Sequence, residues 1–192
     1  MFGKKMRRAT IHLILLLIWA VPTLASLSLV IETQHEHMQT PVDSRPAVLF
    51  CQFIPSIAEQ FIGMPVLVGG RPNQTGSTDN SWLFYSIYAG AATKAGLVYK
   101  NLMPMNLLLD NTHSIKADDV QNGDLIVLNN DLTAMVYQVD PSGRMHFIYA
   151  SKKRGEVTTF NSDHLVYYAY WLENLKGFFR INEHMLMPAR RK

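Results

Sequence analysis

The sequence predicts an α+β fold in which helices come first and an antiparallel sheet follows. Three observations carry that prediction. Apolar positions recur at helical spacing between residues 48 and 96. From residue 124 onward, short apolar, β-branched and aromatic runs alternate with turn signals. The two kinds of segment are segregated along the chain, which separates this class from an alternating parallel arrangement. The 192 residues leave room for one domain with appendages.

Composition narrows the class further. Hydrophobic residues make up 48% and charged residues 17%, with 3 Trp, 8 Tyr and 9 Phe, which excludes a wholly disordered chain. A single cysteine excludes a disulfide-stapled fold and any zinc site built on several cysteines. Lys4, Lys5, Arg7 and Arg8 account for the net charge of +3; without them 14 cations face 15 carboxylates. The basicity is therefore a targeting feature, and a nucleic-acid footprint is not expected.

Those four cations precede an apolar stretch at 11–21, then Pro22 and the small-residue pattern Thr23-Leu24-Ala25 before Ser26. This is the three-part pattern of a secretory signal over residues 1–25. Apolar character runs on through Leu27, Leu29, Val30 and Ile31, long enough for an uncleaved anchor instead. A lipid anchor on Cys51 is not expected, because Val48-Leu49-Phe50 before it are not small. Residues 26–47 read as a polar linker or arm, with Pro41 and Pro46; His35 and His37 within it read as solvated, not as metal ligands.

Residues 48–182 read as one domain. Phe53, Ile57 and Phe61 set a first helix over 48–64, ending near Gly63. The Gly-, Pro- and Asn-rich segment 65–79 is a loop. Residues 80–96 form a second helix, capped by Asp79 or Ser81 and stopped at Gly96. Asn106 to Leu109 is at most a helical turn. Strands are expected at 124–129, 132–139, 144–150 and 156–160, with the second and third joined by the turn Asp140-Pro141-Ser142-Gly143. Residues 165–175 are apolar and aromatic, and 178–181 closes the sheet. Residues 183–192 read as a basic tail.

Several segments resemble, in order, those of the NlpC-type family, papain-like cysteine peptidases that cut peptide bridges in bacterial cell walls. Val120–Leu128 (VQNGDLIVL) resembles the family's "LQPGDLVFF". Thr133–Tyr137 (TAMVY) resembles "HVGIY", and Phe147–Ser151 (FIYAS) resembles "FIHAS". Ala58–Gly70 is similar to the segment "A..YLGTPYRWGG", and Asp79-Asn80-Ser81 to the Asp-Cys-Ser before the active-site helix. The resemblance covers residues 57–181. It implies a papain-like NlpC-type domain, with N-terminal helices packed on an antiparallel sheet of five or six strands, in an exported bacterial protein.

The family chemistry does not carry over. The resemblance places the nucleophile position at Asn80, the base at Thr133, the orienting group at Tyr149 and an aromatic position at Val66. A cysteine peptidase needs a thiolate activated by imidazole. An amide is no nucleophile near neutral pH, and a hydroxyl does not take up a proton as imidazole does. Candidate substitutes lack partners: Ser81 needs a base, His146 points away from the Phe147 and Tyr149 face, His113 and His164 match no family position, and Cys51 precedes the first helix. The expectation is an inactive relative with no metal and no cofactor. Its groove, carrying Asn80, Trp82, Thr133, Tyr149 and Val66 with Arg71 in the loop at the rim, serves binding. The expected role is a scaffold or accessory subunit of an envelope assembly, such as a secretion-system or outer-membrane complex. Alternatives are a peptidoglycan-binding module without hydrolysis and a peptidase using Ser81 or Cys51. The expected partners are other envelope proteins, or peptidoglycan. The expected location is the periplasm or outer membrane, or the inner membrane if the N-terminal segment stays as an anchor.

Overall fold

A computed structural model describes residues 45–189 of the chain. The expected signal or anchor segment, the arm up to residue 44 and the final residues 190–192 lie outside the described part. Within it, the first helix, α1, spans Arg45–Ala58 and continues into a 3-10 turn at Glu59–Phe61. It therefore starts three residues before the expected position, and Pro46 fits there because the first turn leaves its N–H groups unpaired in any case.

Pro55 sits inside α1 and cannot donate to the carbonyl of Cys51, four residues back. The side chain of Asn122 repairs that gap, its Nδ2 donating to the Cys51 carbonyl at 3.2 Å. Its Oδ1 accepts from the Val139 N–H at 2.7 Å. One amide thus joins α1 to the loop before a central strand.

The glycine-rich loop contains a one-turn helix, α2, at Pro72–Thr75. Helix α3 spans Asn80–Lys94 and stops before Gly96, whose φ of 74° is the left-handed conformation that glycine tolerates. Leu83, Phe84, Ile87, Tyr88, Ala91 and Ala92 of α3 are buried. The α1–α3 crossing is close at Gly90, where an added Cβ would lie 3.0 Å from Ile57. Three short elements then follow that sequence patterning does not mark as strands or marks only in part: β1 at Leu97–Tyr99, α4 at Met105–Asp110 and β2 at Thr112–Ile115.

The sheet strands are β3 (Leu125–Leu128), β4 (Thr133–Val139), β5 (Met145–Ser151), β6 (Glu156–Asn161) and β7 (Leu175–Ile181). With β2 they make a six-stranded antiparallel sheet in the order β2-β7-β3-β4-β5-β6. The class is α+β, as expected. The position of β7 differs from a simple meander: it lies between β2 and β3, not beyond β6. The chain returns there through residues 165–172, which form a π-helix over Tyr167–Leu172. That helix buries Tyr167 and Trp171 against Phe147, Phe178, Ile126 and Leu128. The opposite face of the sheet packs Leu125, Val127, Met135 and Ile148 against α1 and α3.

Residues 183–189 are not a free tail. Met185 is fully buried, and β8 (Leu186–Pro188) pairs antiparallel with β1. The pairing joins Leu97–Tyr99 to residues near the end of the described chain, so no local pattern signals it. Among the described residues no helix is long and apolar enough to cross a membrane.

Candidate functional site

The N-terminus of α3 is fixed before any functional group is considered. Asp79 has extended backbone, and its Oδ1 accepts from the Trp82 N–H at 3.0 Å. Its Oδ2 accepts from the Gly69 N–H at 2.8 Å, tying the glycine loop to the helix. Asp79 is therefore the cap, and Ser81 is not. Gly70 is required by close approach: a Cβ there would lie 2.9 Å from the backbone of Ser77 and Thr78.

Asn80 follows the cap and points at the sheet. Its Nδ2 donates to the Thr133 carbonyl at 3.1 Å, and its Oδ1 accepts from the Ala150 N–H at 2.6 Å. Both ends of the amide are thus committed to backbone groups of two adjacent strands, β4 and β5. Thr133 is buried, and its hydroxyl donates to the Asp131 carbonyl at 3.1 Å.

Tyr149 does not face Thr133. Strands β4 and β5 pair Met135 with Ile148 and Val136 with Phe147. Alternation then puts Ile148 and Met135 toward the helices, and Phe147 and Tyr149 on the other side. The Tyr149 ring packs edge-on against Trp171 at 5.7 Å and Phe160 at 5.9 Å. The groove expected between α3 and a surface shared by Thr133 and Tyr149 is corrected accordingly. The same alternation that turns His146 away from Tyr149 also separates Tyr149 from Thr133.

The cavity lies at the end of the sheet, where both faces reach it. It has a volume of about 1070 Å³, and its lining includes Val66, Asn80, Ser81 and Tyr149, with Trp171 and the hairpin cations Lys152–Arg154. Thr133, Trp82 and Arg71 are not among its lining residues. Trp82 and Arg71 instead pack on one another, the guanidinium 5.5 Å from the indole ring. Sequence reasoning missed the contribution of the hairpin and the π-helix, because the segments meet only through the sheet.

The remaining candidate groups are dispersed. His146 pairs across the strands with Gln138, five positions along β4 from Thr133, or roughly 16 Å. Its Nε2 lies 3.6 Å from Asp140. His113 hydrogen-bonds Asn182 at 3.0 Å, and the Nδ1 of His164 accepts from the Val166 N–H. Cys51 borders a second cavity beside Asp124 and Arg180. Burial pushes its thiol pKa up, Asp124 adds to the rise and Arg180 opposes it. That direction disfavours the thiolate that a nucleophile needs. Among the described residues no three His, Cys, Asp or Glu side chains converge as metal ligands.

No protein-family model matches the chain. No curated protein matches it significantly. Among solved structures, a crystal structure described as similar to a lipoprotein of the NLP/P60 family, from Staphylococcus aureus subsp. aureus Mu50, is 23% identical with a TM-score of 0.49. The likeness covers 69% of this chain and 41% of that one, so the chain matches about two fifths of that protein's length.

Proposed function

We propose that the chain is a non-catalytic NlpC-like protein of the bacterial envelope, acting as a scaffold or accessory subunit of a larger envelope assembly. The observation that carries this reading is the state of Asn80. It occupies the position that the sequence resemblance gives to the nucleophile, and both ends of its amide hold strand backbone. A residue in that role contributes to shape and leaves no group free for attack. The histidines of the described part make other contacts, and the nearest candidate on β4 and β5 sits at the far end of the strands. The exported pattern of residues 1–25 supports the envelope location.

The open cavity beside Asn80 favours a second reading, a module that binds peptidoglycan without cutting it. Three measurements separate these readings from catalysis and from each other. Purified protein incubated with peptidoglycan is expected to release no muropeptides; dose-dependent release would overturn the non-catalytic reading. Co-sedimentation with insoluble peptidoglycan would favour the binding module. Stoichiometric recovery of the same envelope proteins, after purification in mild detergent, would favour the subunit.

A further inference from the structure

The described part of the chain carries its charge unevenly. Residues 144–180 hold six cations against three carboxylates, whereas the other described residues hold five against nine. Within the basic region, Arg144, Lys176 and Arg180 are paired with Asp163, Asp131 and Asp124. Lys152, Lys153 and Arg154, in the turn between β5 and β6, form no ion pair with any described residue. They are consecutive, exposed and on the lip of the cavity.

The loop and the π-helix segment that line the cavity through Val68, Val166 and Tyr170 carry further apolar side chains held in water. Val68 is 85% exposed, Leu165 75% and Leu67 60%, the three most exposed large hydrophobics of the described chain. Tyr168, on the π-helix, is 53% exposed. The helix turns Tyr167 and Trp171 inward and leaves Tyr168, Tyr170 and Leu172 outward. These tips stand on separate elements around an open cleft, so they do not line one groove shaped for a strand or helix. Unpaired cations beside protruding aliphatic and tyrosine side chains suit a lipid interface, where phosphates meet acyl chains.

We propose that this face docks on an anionic lipid surface. The Lys152–Arg154 turn meets phosphate head groups, and Val68, Leu165 and Tyr168 enter the interface. The sequence gives membrane contact only to the N-terminal segment, if it stays uncleaved, and this face adds a contact within the domain. The proposal stands apart from the question of catalysis.

The test uses the full chain in lipid nanodiscs, of phosphatidylcholine alone or with phosphatidylglycerol, read by hydrogen–deuterium exchange. Site resolution separates this face from the N-terminal segment. Residues 65–70, 151–156 and 163–173 are expected to exchange more slowly in the anionic discs. Each cation near an anionic surface changes occupancy about fivefold, so Lys152→Glu with Lys153→Glu is expected to remove the protection. Leu165→Ser with Tyr168→Ser, which keeps the cations, is expected to weaken it. Exchange of the buried strand β3 reports folding in the same spectra, and Lys152→Gln with Lys153→Gln replaces the reversal if β3 is disturbed. Equal exchange in both disc types, or protection that survives loss of the two lysine charges, overturns the proposal and leaves the face to a protein partner.

Discussion

Asn80 illustrates how much one amide fixes. It satisfies the Thr133 carbonyl and the Ala150 N–H at once, so it sets the spacing between α3 and the ends of β4 and β5. Asn80→Cys would place a thiol where the family resemblance expects one. We expect no hydrolysis from it, because neither Thr133 nor Tyr149 supplies an imidazole. Loss of two hydrogen bonds should cost about 2 kcal/mol, at about 1 kcal/mol each. A thermal melt would then fall by roughly 6 °C. Muropeptide release by the variant would show that a base is within reach after all. The residue type at position 80 was legible in the sequence; its two backbone partners, 53 and 70 residues away, were not.

At the scale of elements, α1 shows a local defect repaired at long range. Pro55 removes a donor from the helix, and Asn122 replaces that donor from 71 residues away. Asn122→Ala would strand the Cys51 carbonyl and the Val139 N–H together, each part-buried. The expected loss is about 2 kcal/mol, visible as a lower urea midpoint with an unchanged slope. Helices and central strands were legible because their apolar periods are local. The strands β1, β2 and β8 were not. Each has three or four residues, and each exists because a distant partner offers a ladder: β1 pairs with β8, and β2 with β7. The π-helix was legible only as an apolar stretch, since its wide turn has no distinctive period over six residues.

Across the described molecule, a part-buried ion pair ties the sheet to the loops beside it. Asp124 is buried at the start of β3 and accepts from Arg180 Nε at 2.9 Å and Nη2 at 2.8 Å. It also accepts from the Gln121 N–H, while Arg180 donates to the Asp119 carbonyl. Asp124→Asn keeps the shape and removes the charge, leaving the Arg180 guanidinium uncompensated. Arg180 is partly exposed, so water offsets part of the lost charge-assisted hydrogen bonds, and we expect a loss of about 1.5 kcal/mol, measured by equilibrium urea unfolding. A variant as stable as the parent would show that solvent already screens Arg180.

The sequence by itself determined the class, the two long helices, the four strands of the meander and the identity of the side chain at each triad-like position. These follow from neighbouring residues, because periodicity and turn chemistry act over a few positions. Tertiary structure alone decided where β7 lies, that β8 belongs to the fold, and that Tyr149 faces Trp171 and not Thr133. It also decided that the cavity is bordered by the β5–β6 turn and the π-helix. These depend on strand register, where a shift of one residue turns every side chain to the other face, and register is settled only when distant segments pack.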